Sequence, residues 1–355
     1  MIELDPCADS RWSEFVASHP DALVYHHAAW LAALGEGYGH RPGGLAYARD
    51  GKLLGVLPLA RTRGAISGRR LVSLPYTPVA GPLASDRTIT GELLRAAVDL
   101  TREGSGQRLE IKSSDPSLPD VDDDLTRLTW TDTYVRELPP AGENLRFGNS
   151  RNHGRIKWAV NKANRLGVHV REAERESDVR DWYALYLKTM RTHAVPPRPY
   201  RFFAALWDLL APRGLMSLLL AERVEGVRRR LIAGSILLRH GATVFYAFNG
   251  RRDEDLSLRP NDLIQWHAMH AATQVGFRFY DFGEVEADQH GLGDFKSKWG
   301  ARPRSLYRYF APPPGEGKVG PVASGGFLHR TGAAVWRRLP LRVTAAVGAQ
   351  LYRHV

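Results

Sequence analysis

The order of predicted elements in the second half of this 355-residue chain limits the fold more than any other feature. Alternating apolar residues predict strands at 215–222, 231–239 and 243–248, near enough in sequence to be joined by hairpins. A helix is predicted at 261–275, followed by a buried strand at 277–285. Hairpin-linked strands that lead into a strand–helix–strand crossover indicate an α/β (α+β) fold with a mixed central sheet flanked by helices.

The first half of the chain has a similar order of elements. Helices are predicted at 10–18 and 26–34, followed by a hairpin that turns at Asp50-Gly51, further strands, and a helix at 90–103. We therefore expect two copies of one architecture in tandem, although the sequence itself shows no repeat.

Proline-rich steps predict the domain boundaries. The pattern changes after Pro139-Pro140, so the expected domains are 1–140 and 141–311, with a linker and basic amphipathic tail at 312–355. The tail combines apolar residues with five arginines, which suits a helix pair, interrupted at Pro340, at the surface of an anionic membrane. Its apolar members include Phe327, Trp336, Leu339, Leu341, Val343, Val347 and Leu351, and its arginines include Arg330. The alternative is that the tail docks on the catalytic domains.

The charge of the chain indicates polyanionic partners. Its formal net charge is +11, which favours contact with RNA or with an anionic lipid surface, unless the arginines are simply solvated. A long basic helix is predicted at 146–166, with Arg151, Arg155 and Lys162 on one stripe as polyanion-binding candidates. A solvated helical surface is the alternative interpretation of that stripe.

Other classes of protein are disfavoured by the sequence. The single cysteine, Cys7, excludes a disulfide framework, and no His, Asp or Glu cluster has convincing spacing for a metal. No stretch approaches the ~20 apolar residues that span a bilayer, and the N-terminus lacks a signal-peptide pattern. We expect a cytoplasmic protein that is a candidate for peripheral contact with the inner face of the membrane.

Residues 280–300, YDFGEVEADQHGLGDFKSKWG, have the composition of a functional site. Asp281 and Glu284 lie at the end of a buried strand, where loops often carry function. Either carboxylate is suited to bind the ammonium group of a substrate or to accept its proton. A glycine loop with His290 then leads to Lys296 and Lys298. The alternatives are structural: a capping or ion-paired carboxylate, a solvent-exposed histidine, and a solvated basic turn.

Four motifs resemble the signatures of FemAB-type proteins. They are HHAAWLAAL at 26–34, GVLPLARTRG at 55–64, GRRLVSLPYTPVAGPL at 68–83, and the segment 280–300. The resemblance implies two tandem GNAT-like acyltransferase domains, with the donor channel in the second. The best-known members transfer an amino acid from aminoacyl-tRNA to an amine of a peptidoglycan precursor in the cell envelope. Related BioF2-like acetyltransferase-domain proteins occur with polysaccharide genes.

The resemblance also suggests roles for individual residues. Lys296 matches the lysine of the family motif F-K-x-x-W/F-G and is predicted to stabilise negative charge that develops on the donor. Tyr246 falls on the fourth strand, where GNAT folds splay two strands to admit the donor, although core packing explains it equally. The predicted substrate-binding residues are Tyr186, Arg191, His193, Tyr76, His290 and Lys298.

The loop at 249–260 bears on the donor. It reads NGRRDEDLSLRP, and its single glycine is poorly suited to the backbone cradle that binds the pyrophosphate of CoA, unless Arg251 and Arg252 hold phosphates instead. The leading prediction is therefore a transferase that moves an acyl or aminoacyl group from aminoacyl-tRNA to an amine of a peptidoglycan-type or peptide acceptor, without a tightly bound cofactor. The alternatives are an acyl-CoA-dependent N-acyltransferase acting on an amino sugar or polysaccharide, and a non-catalytic adaptor that binds RNA or lipid.

Overall fold

The computed structural model describes residues 1–64, 68–103, 107–118, 125–286, 288–314 and 327–353. Most of the predicted linker, 315–326, and the side chains of Phe327 and Arg330 lie outside this description. The predicted class is confirmed, because the described residues form mixed sheets flanked by helices and a helical tail.

The elements follow the predicted order with a few additions. The strands are β1 Ile2–Leu4, β2 Gly43–Arg49, β3 Lys52–Gly64, β4 Gly68–Val72, β5 Leu83–Ala84, β6 Gln107–Ser113, β7 Thr126–Glu137, β8 Val168–Glu172, β9 Met216–Glu225, β10 Arg228–His240, β11 Thr243–Arg251, β12 Phe279–Val285 and β13 Arg302–Ala311. The helices are α1 Ser10–Ser18, α2 Ala28–Tyr38, α3 Arg87–Glu103, α4 His153–Arg165, α5 Glu176–His193, α6 Tyr200–Leu210, α7 Pro260–Val275, α8 His290–Lys298, α9 Phe327–Arg338 and α10 Leu341–Leu351.

The chain divides into two compact units. Unit 1 comprises residues 1–132 with the described parts of 304–323 and 351–355, and unit 2 comprises residues 133–303 with the described part of 324–350. In unit 1, β1, β2, β3 and β4 form antiparallel neighbours, and β6 joins β4 in parallel. The predicted hairpin turn is present, because Asp50 and Gly51 both have positive φ, as a two-residue hairpin loop requires.

The sheet of unit 2 positions the candidate site. Strands β8 to β11 are antiparallel neighbours, and β12 then joins β11 in parallel after the α7 crossover. The α7 helix begins after Arg259, which has positive φ, and ends at Gly276 in the left-handed region. The core between this sheet and the helices α4 and α7 is apolar and includes Val168, Ile232, Val244 and Phe282 from the strands and Ile264 and Met269 from α7.

The long basic helix predicted at 146–166 is shorter than expected. The helix α4 covers only His153–Arg165, and Gly148 precedes it with a φ of 61°. The Oδ1 atom of Asn149 accepts hydrogen bonds from the backbone N and the side-chain Nδ2 of Asn152, at 3.0 and 2.9 Å, a local pairing that competes with helix formation. Arg151 therefore lies in the turn before the helix and does not share a helical stripe with Arg155 and Lys162.

Candidate active site

The candidate site forms where two parallel strands separate. The strands β11 and β12 pair at only three positions, the last of which joins Phe245 and Asp281, although both strands continue beyond it. Beyond this point β12 turns through Gly283, which has a φ of 82° that a side chain would strain. The separation leaves the backbone of β12 from Gly283 onward without a β11 partner and open to bonds from another element.

A buried lysine from α8 uses these backbone groups. The Nζ atom of Lys296 donates hydrogen bonds to the carbonyl oxygens of Gly283 and Glu284, at 2.8 and 3.0 Å, and only 4% of the residue is exposed. Burial lowers the pKa of Lys296 to about 8, and the charges of Asp281 and Glu284 partly oppose this decrease. Lys296 is therefore a desolvated cation held at the end of β12 and not a solvated basic turn.

Asp281 is the buried carboxylate of the site. Its Oδ1 atom accepts hydrogen bonds from the Thr133 hydroxyl at 2.5 Å and from the Gly283 backbone N at 2.7 Å. Burial raises the pKa of Asp281, while these hydrogen bonds and the charge of Lys296 act in the opposite direction. The site thus joins a carboxyl group whose pKa is raised to a lysine whose pKa is lowered, a pattern that is common at reactive centres.

Two contributors to the site come from β7 and were not predicted from the sequence. Thr133 binds Asp281, and the Tyr134 ring lies with its centroid 5.9 Å from the Lys296 Nζ. A Cβ added at Gly293 would lie 2.7 Å from the Tyr134 hydroxyl oxygen, so the glycine of this helix permits the close approach of the ring. The sequence of β7 predicts a strand but contains no signal of this contact with a segment ~150 residues away.

Tyr246 lies on β11 beside the opening of the two strands. Its hydroxyl accepts hydrogen bonds from Asn249 Nδ2 at 3.0 Å and from Ser235 Oγ at 3.4 Å. The register between β10 and β11 shifts next to it, since Ile236 pairs with Phe248 but Leu237 pairs with Tyr246. Such a bulge redirects the side chains of a strand, and bulges are frequent near active sites.

The remaining candidates of the segment 280–300 are more exposed than Lys296. The Glu284 side chain is exposed, although its carbonyl oxygen binds Lys296. His290 is exposed at the first position of α8, and Lys298 is half-buried at its last position, with its carbonyl oxygen accepting from the Asn149 backbone N at 3.0 Å. Lys296 and Asp281 are therefore the buried charges of this segment.

The three candidates on α5 have different surroundings. Tyr186 is buried against Trp182 and Phe203, and its hydroxyl accepts from the Arg198 backbone N at 3.2 Å. Arg191 donates from Nη1 to the Leu339 carbonyl oxygen in the tail at 3.3 Å, and His193 is exposed at the end of the helix. Burial lowers the pKa of His193, and the nearby arginines act in the same direction. The three side chains do not share one set of contacts, so their predicted role in substrate binding stays a prediction.

Tyr76 belongs to unit 1. Its φ of 55° is unusual for a bulky residue, and its hydroxyl donates to the Tyr352 carbonyl oxygen at 2.9 Å. Its ring packs against those of Tyr38 and Tyr352, with centroid distances of 4.9 and 4.7 Å. The environment of Tyr76 is an aromatic cluster that includes the end of the described tail.

Basic and acidic residues within the loop at 249–260 form ion pairs with each other. Arg251 Nε lies 3.1 Å from Asp253 Oδ1, and Arg252 Nη1 lies 3.5 Å from Glu254 Oε1. Arg230 makes a bidentate contact with the buried carboxylate of Asp255, with both distances at 2.8 Å. The loop forms a short 3-10 turn at Asp253–Leu258, and neighbouring acids engage Arg251 and Arg252.

The basic surface of α4 has an exposed aromatic residue. Trp158 is 48% exposed, with Lys162 Nζ 5.2 Å and Arg259 Cζ 5.7 Å from its ring centroid. Arg155 lies on the same helix near Asp262. Burial raises the pKa of Asp262, whereas the charges of Arg259, Arg155 and Lys298 lower it. This surface combines cations with an aromatic face, as surfaces that bind single-stranded nucleic acid do.

Comparisons with known proteins agree with this geometry. Residues 150–297 match the family of acetyltransferase (GNAT) domains. Among solved structures, the chain is similar to FemX, with 17% identity, a TM-score of 0.63, and coverage of 87% of this chain and 97% of that one. It is also similar to L-PGS from Bacillus licheniformis, with 11% identity, a TM-score of 0.59, and full coverage of both chains. No curated protein matches the sequence.

A third structure bears on the tandem arrangement. A tandem GNAT protein from the clavulanic acid biosynthesis pathway is 13% identical, with a TM-score of 0.50 and coverage of 89% of this chain and 99% of that one. Residues 150–297 therefore match a GNAT acetyltransferase domain, and the fold of the chain is similar to the folds of FemX and of a tandem GNAT protein, which confirms the predicted resemblance to FemAB-type proteins in fold.

Proposed function

We propose that this acyltransferase moves an aminoacyl group from aminoacyl-tRNA to an amine of a peptidoglycan-type or peptide acceptor. The observation that carries the proposal is the buried Lys296 ammonium near Asp281, at the point where β11 and β12 separate. An acyl transfer to an amine needs both a proton acceptor and a group that stabilises the oxyanion, and the two residues supply these functions.

The chemistry is a simple exchange of bonds at the carbonyl carbon. The acceptor ammonium gives a proton to Asp281, and the neutral amine attacks the carbonyl carbon of the donor ester. Lys296 donates a hydrogen bond to the developing negative charge, the C–O bond to the ribose breaks, and the ribose oxygen takes up the second proton, which the attacking nitrogen loses. An amide bond replaces the ester bond, so no oxidant or metal is needed.

The surroundings of the site favour RNA as the donor. In the loop at 249–260, Arg251 and Arg252 form ion pairs with neighbouring acids, whereas a cradle for the CoA pyrophosphate needs free donors. The α4 surface instead presents Trp158 with Lys162 and Arg259 over its ring, which suits the stacked bases and phosphates of a single strand. The predicted polyanion contacts of Arg151, Arg155 and Lys162 belong to this part of the proposal.

The acceptor follows from the chemistry of Asp281 and from the FemAB resemblance. A buried carboxylate attracts an ammonium group and then accepts its proton, which suits the side-chain amine of a peptide more than a hydroxyl acceptor. We place the reaction at the inner face of the cell membrane, where peptidoglycan precursors are amine-bearing acceptors for the FemAB-type proteins that this chain resembles.

The test is a transfer assay with radiolabelled aminoacyl-tRNA and amine-bearing muropeptides, run in parallel with acetyl-CoA. The proposal predicts a labelled amide product with the tRNA donor and none with acetyl-CoA. Transfer from acetyl-CoA to an amino sugar would contradict this proposal and support the alternative function, a CoA-dependent N-acyltransferase. If RNA binds but neither donor is consumed, the non-catalytic adaptor is correct.

A further inference from the structure

One face of the tail helices packs against other residues of unit 2. Thr344 is fully buried, and a Cβ added at Gly348 would overlap the carbonyl oxygen of Pro197. Arg337 Nε donates to the Thr192 carbonyl oxygen at 3.0 Å, close to the bond between Arg191 and the Leu339 carbonyl oxygen. These contacts define which sides of α9 and α10 face the protein and which sides face away from it.

A second side of α10, about 80° around the helix from Thr344 and Gly348, is apolar and exposed. Val343, Val347 and Leu351 recur every four residues, so they lie in one row along the helix. Their exposed fractions are 42%, 38% and 46%. On α9, Val335 is exposed as well. We call Val343, Val347 and Leu351 the outer row.

Positive charge borders the outer row. Residues 327–355 contain five arginines and no aspartate or glutamate. Arg338, Arg342 and Arg353 are exposed in the described part of the tail. An apolar row bordered by arginines complements the surface of an anionic bilayer, where the apolar side chains enter the interface and the arginines contact the headgroups.

We propose that the outer row is a docking surface for an anionic membrane. A second copy of this chain is a poor occupant, because two arginine-rich tails repel each other. RNA would engage the arginines but would leave the valines in water. No helix in the described part of the chain is long and apolar enough to cross a membrane, so the contact lies at the surface of the bilayer. This inference does not depend on the proposed transfer reaction.

Sedimentation with vesicles tests the docking surface. The full chain is mixed with vesicles of phosphatidylcholine alone or with about 30% phosphatidylglycerol, and the bound fraction is measured at low and high salt. We expect binding to the anionic vesicles that weakens with salt. The V343E/V347E double variant should bind at least about tenfold more weakly, because it places two carboxylates in the interface. The R338Q/R342Q variant should bind the anionic vesicles more weakly, by roughly fivefold for each arginine replaced.

A matched control separates the tail from a general effect of acidic substitution. Val227 and Val275 are exposed valines on other elements, so V227E/V275E adds the same charge outside the tail and should bind nearly as the wild type does. Thermal unfolding should show that all variants are folded, since every substituted side chain is exposed. Failure of the wild type to bind, equal binding to neutral vesicles, unchanged binding of V343E/V347E, or an equal loss in the control would each overturn the proposal.

Discussion

Two groups of cations in unit 2 have contrasting surroundings. Lys296 is buried, binds two backbone carbonyl oxygens, and has a pKa that burial lowers. Arg251 and Arg252 are half-buried and pair with acids two positions further along the same loop. The sequence alone does not distinguish the two groups, because all three residues are basic. Desolvation therefore distinguishes Lys296, the proposed catalytic cation, from Arg251 and Arg252, because a charge removed from water interacts more strongly with a developing charge.

The largest effect is expected at Lys296. K296A should lower kcat by about 10³-fold, because it removes the donor that stabilises the oxyanion. K298A is the matched control, since Lys298 lies two residues along the same helix and is less buried, and it should change kcat little. Steady-state transfer rates measure both variants. Equal losses in the two would remove the contrast between the buried Lys296 and the half-buried Lys298.

The next effect concerns the carboxylate. D281N should reduce kcat by about 10²-fold, because the proton acceptor is lost while the shape of the side chain is kept. The charge of Asp281 raises the pKa of Lys296 against the effect of burial, so D281N should also lower that pKa. The basic limb of the pH–rate profile of D281N should therefore shift to lower pH. An unchanged limb would show that the two groups do not interact.

Stability should depend on pH through Lys296. The folded pKa of about 8 lies below the ordinary value of 10.5, so the unfolded chain binds more protons between these values. Stability from this group is lowest below pH 8 and rises between pH 8 and 10.5, by about 3 kcal/mol at most. Chemical denaturation of the wild type and K296M across this range measures the difference. If the free energy of unfolding changes with pH at the same slope in both proteins, the burial of the Lys296 charge is contradicted.

The contact between α8 and β7 can be tested by a change in size. G293A should destabilise the fold by about 1–3 kcal/mol, because the new methyl group would meet the Tyr134 hydroxyl. Y134F removes that oxygen, so G293A should be much less harmful in the Y134F background. Unfolding midpoints of the four proteins give the interaction energy. Additive effects would show that Gly293 and Tyr134 do not touch.

The smallest effect is expected in the loop at 249–260. R251Q/R252Q should change the KM for the donor less than about threefold, because exposed ion pairs contribute little free energy. A tenfold rise in KM for acetyl-CoA would instead show that these arginines hold phosphates, in agreement with the CoA-dependent alternative.

The sequence predicted the elements of the site better than its contacts. The buried strand around Asp281 follows from local periodicity, and the structure contains it. The predicted glycine loop with His290 is wrong, because α8 begins at His290 and includes Gly291 and Gly293. The bond between Thr133 and Asp281 joins residues 148 positions apart, and no local pattern encodes it. The basic helix starts later than predicted, at His153, because Gly148 and Asn149 form a turn that the basic pattern of the sequence does not reveal.

The role of Lys296 in the reaction is decided by the pH dependence of kcat/KM for aminoacyl transfer. The rate should fall as pH rises through about 8, because Lys296 loses its proton, and the residual activity of K296M should lack this limb. A wild-type rate that stays level between pH 7 and about 10, or the same basic limb in K296M, would contradict the role of Lys296 in the reaction.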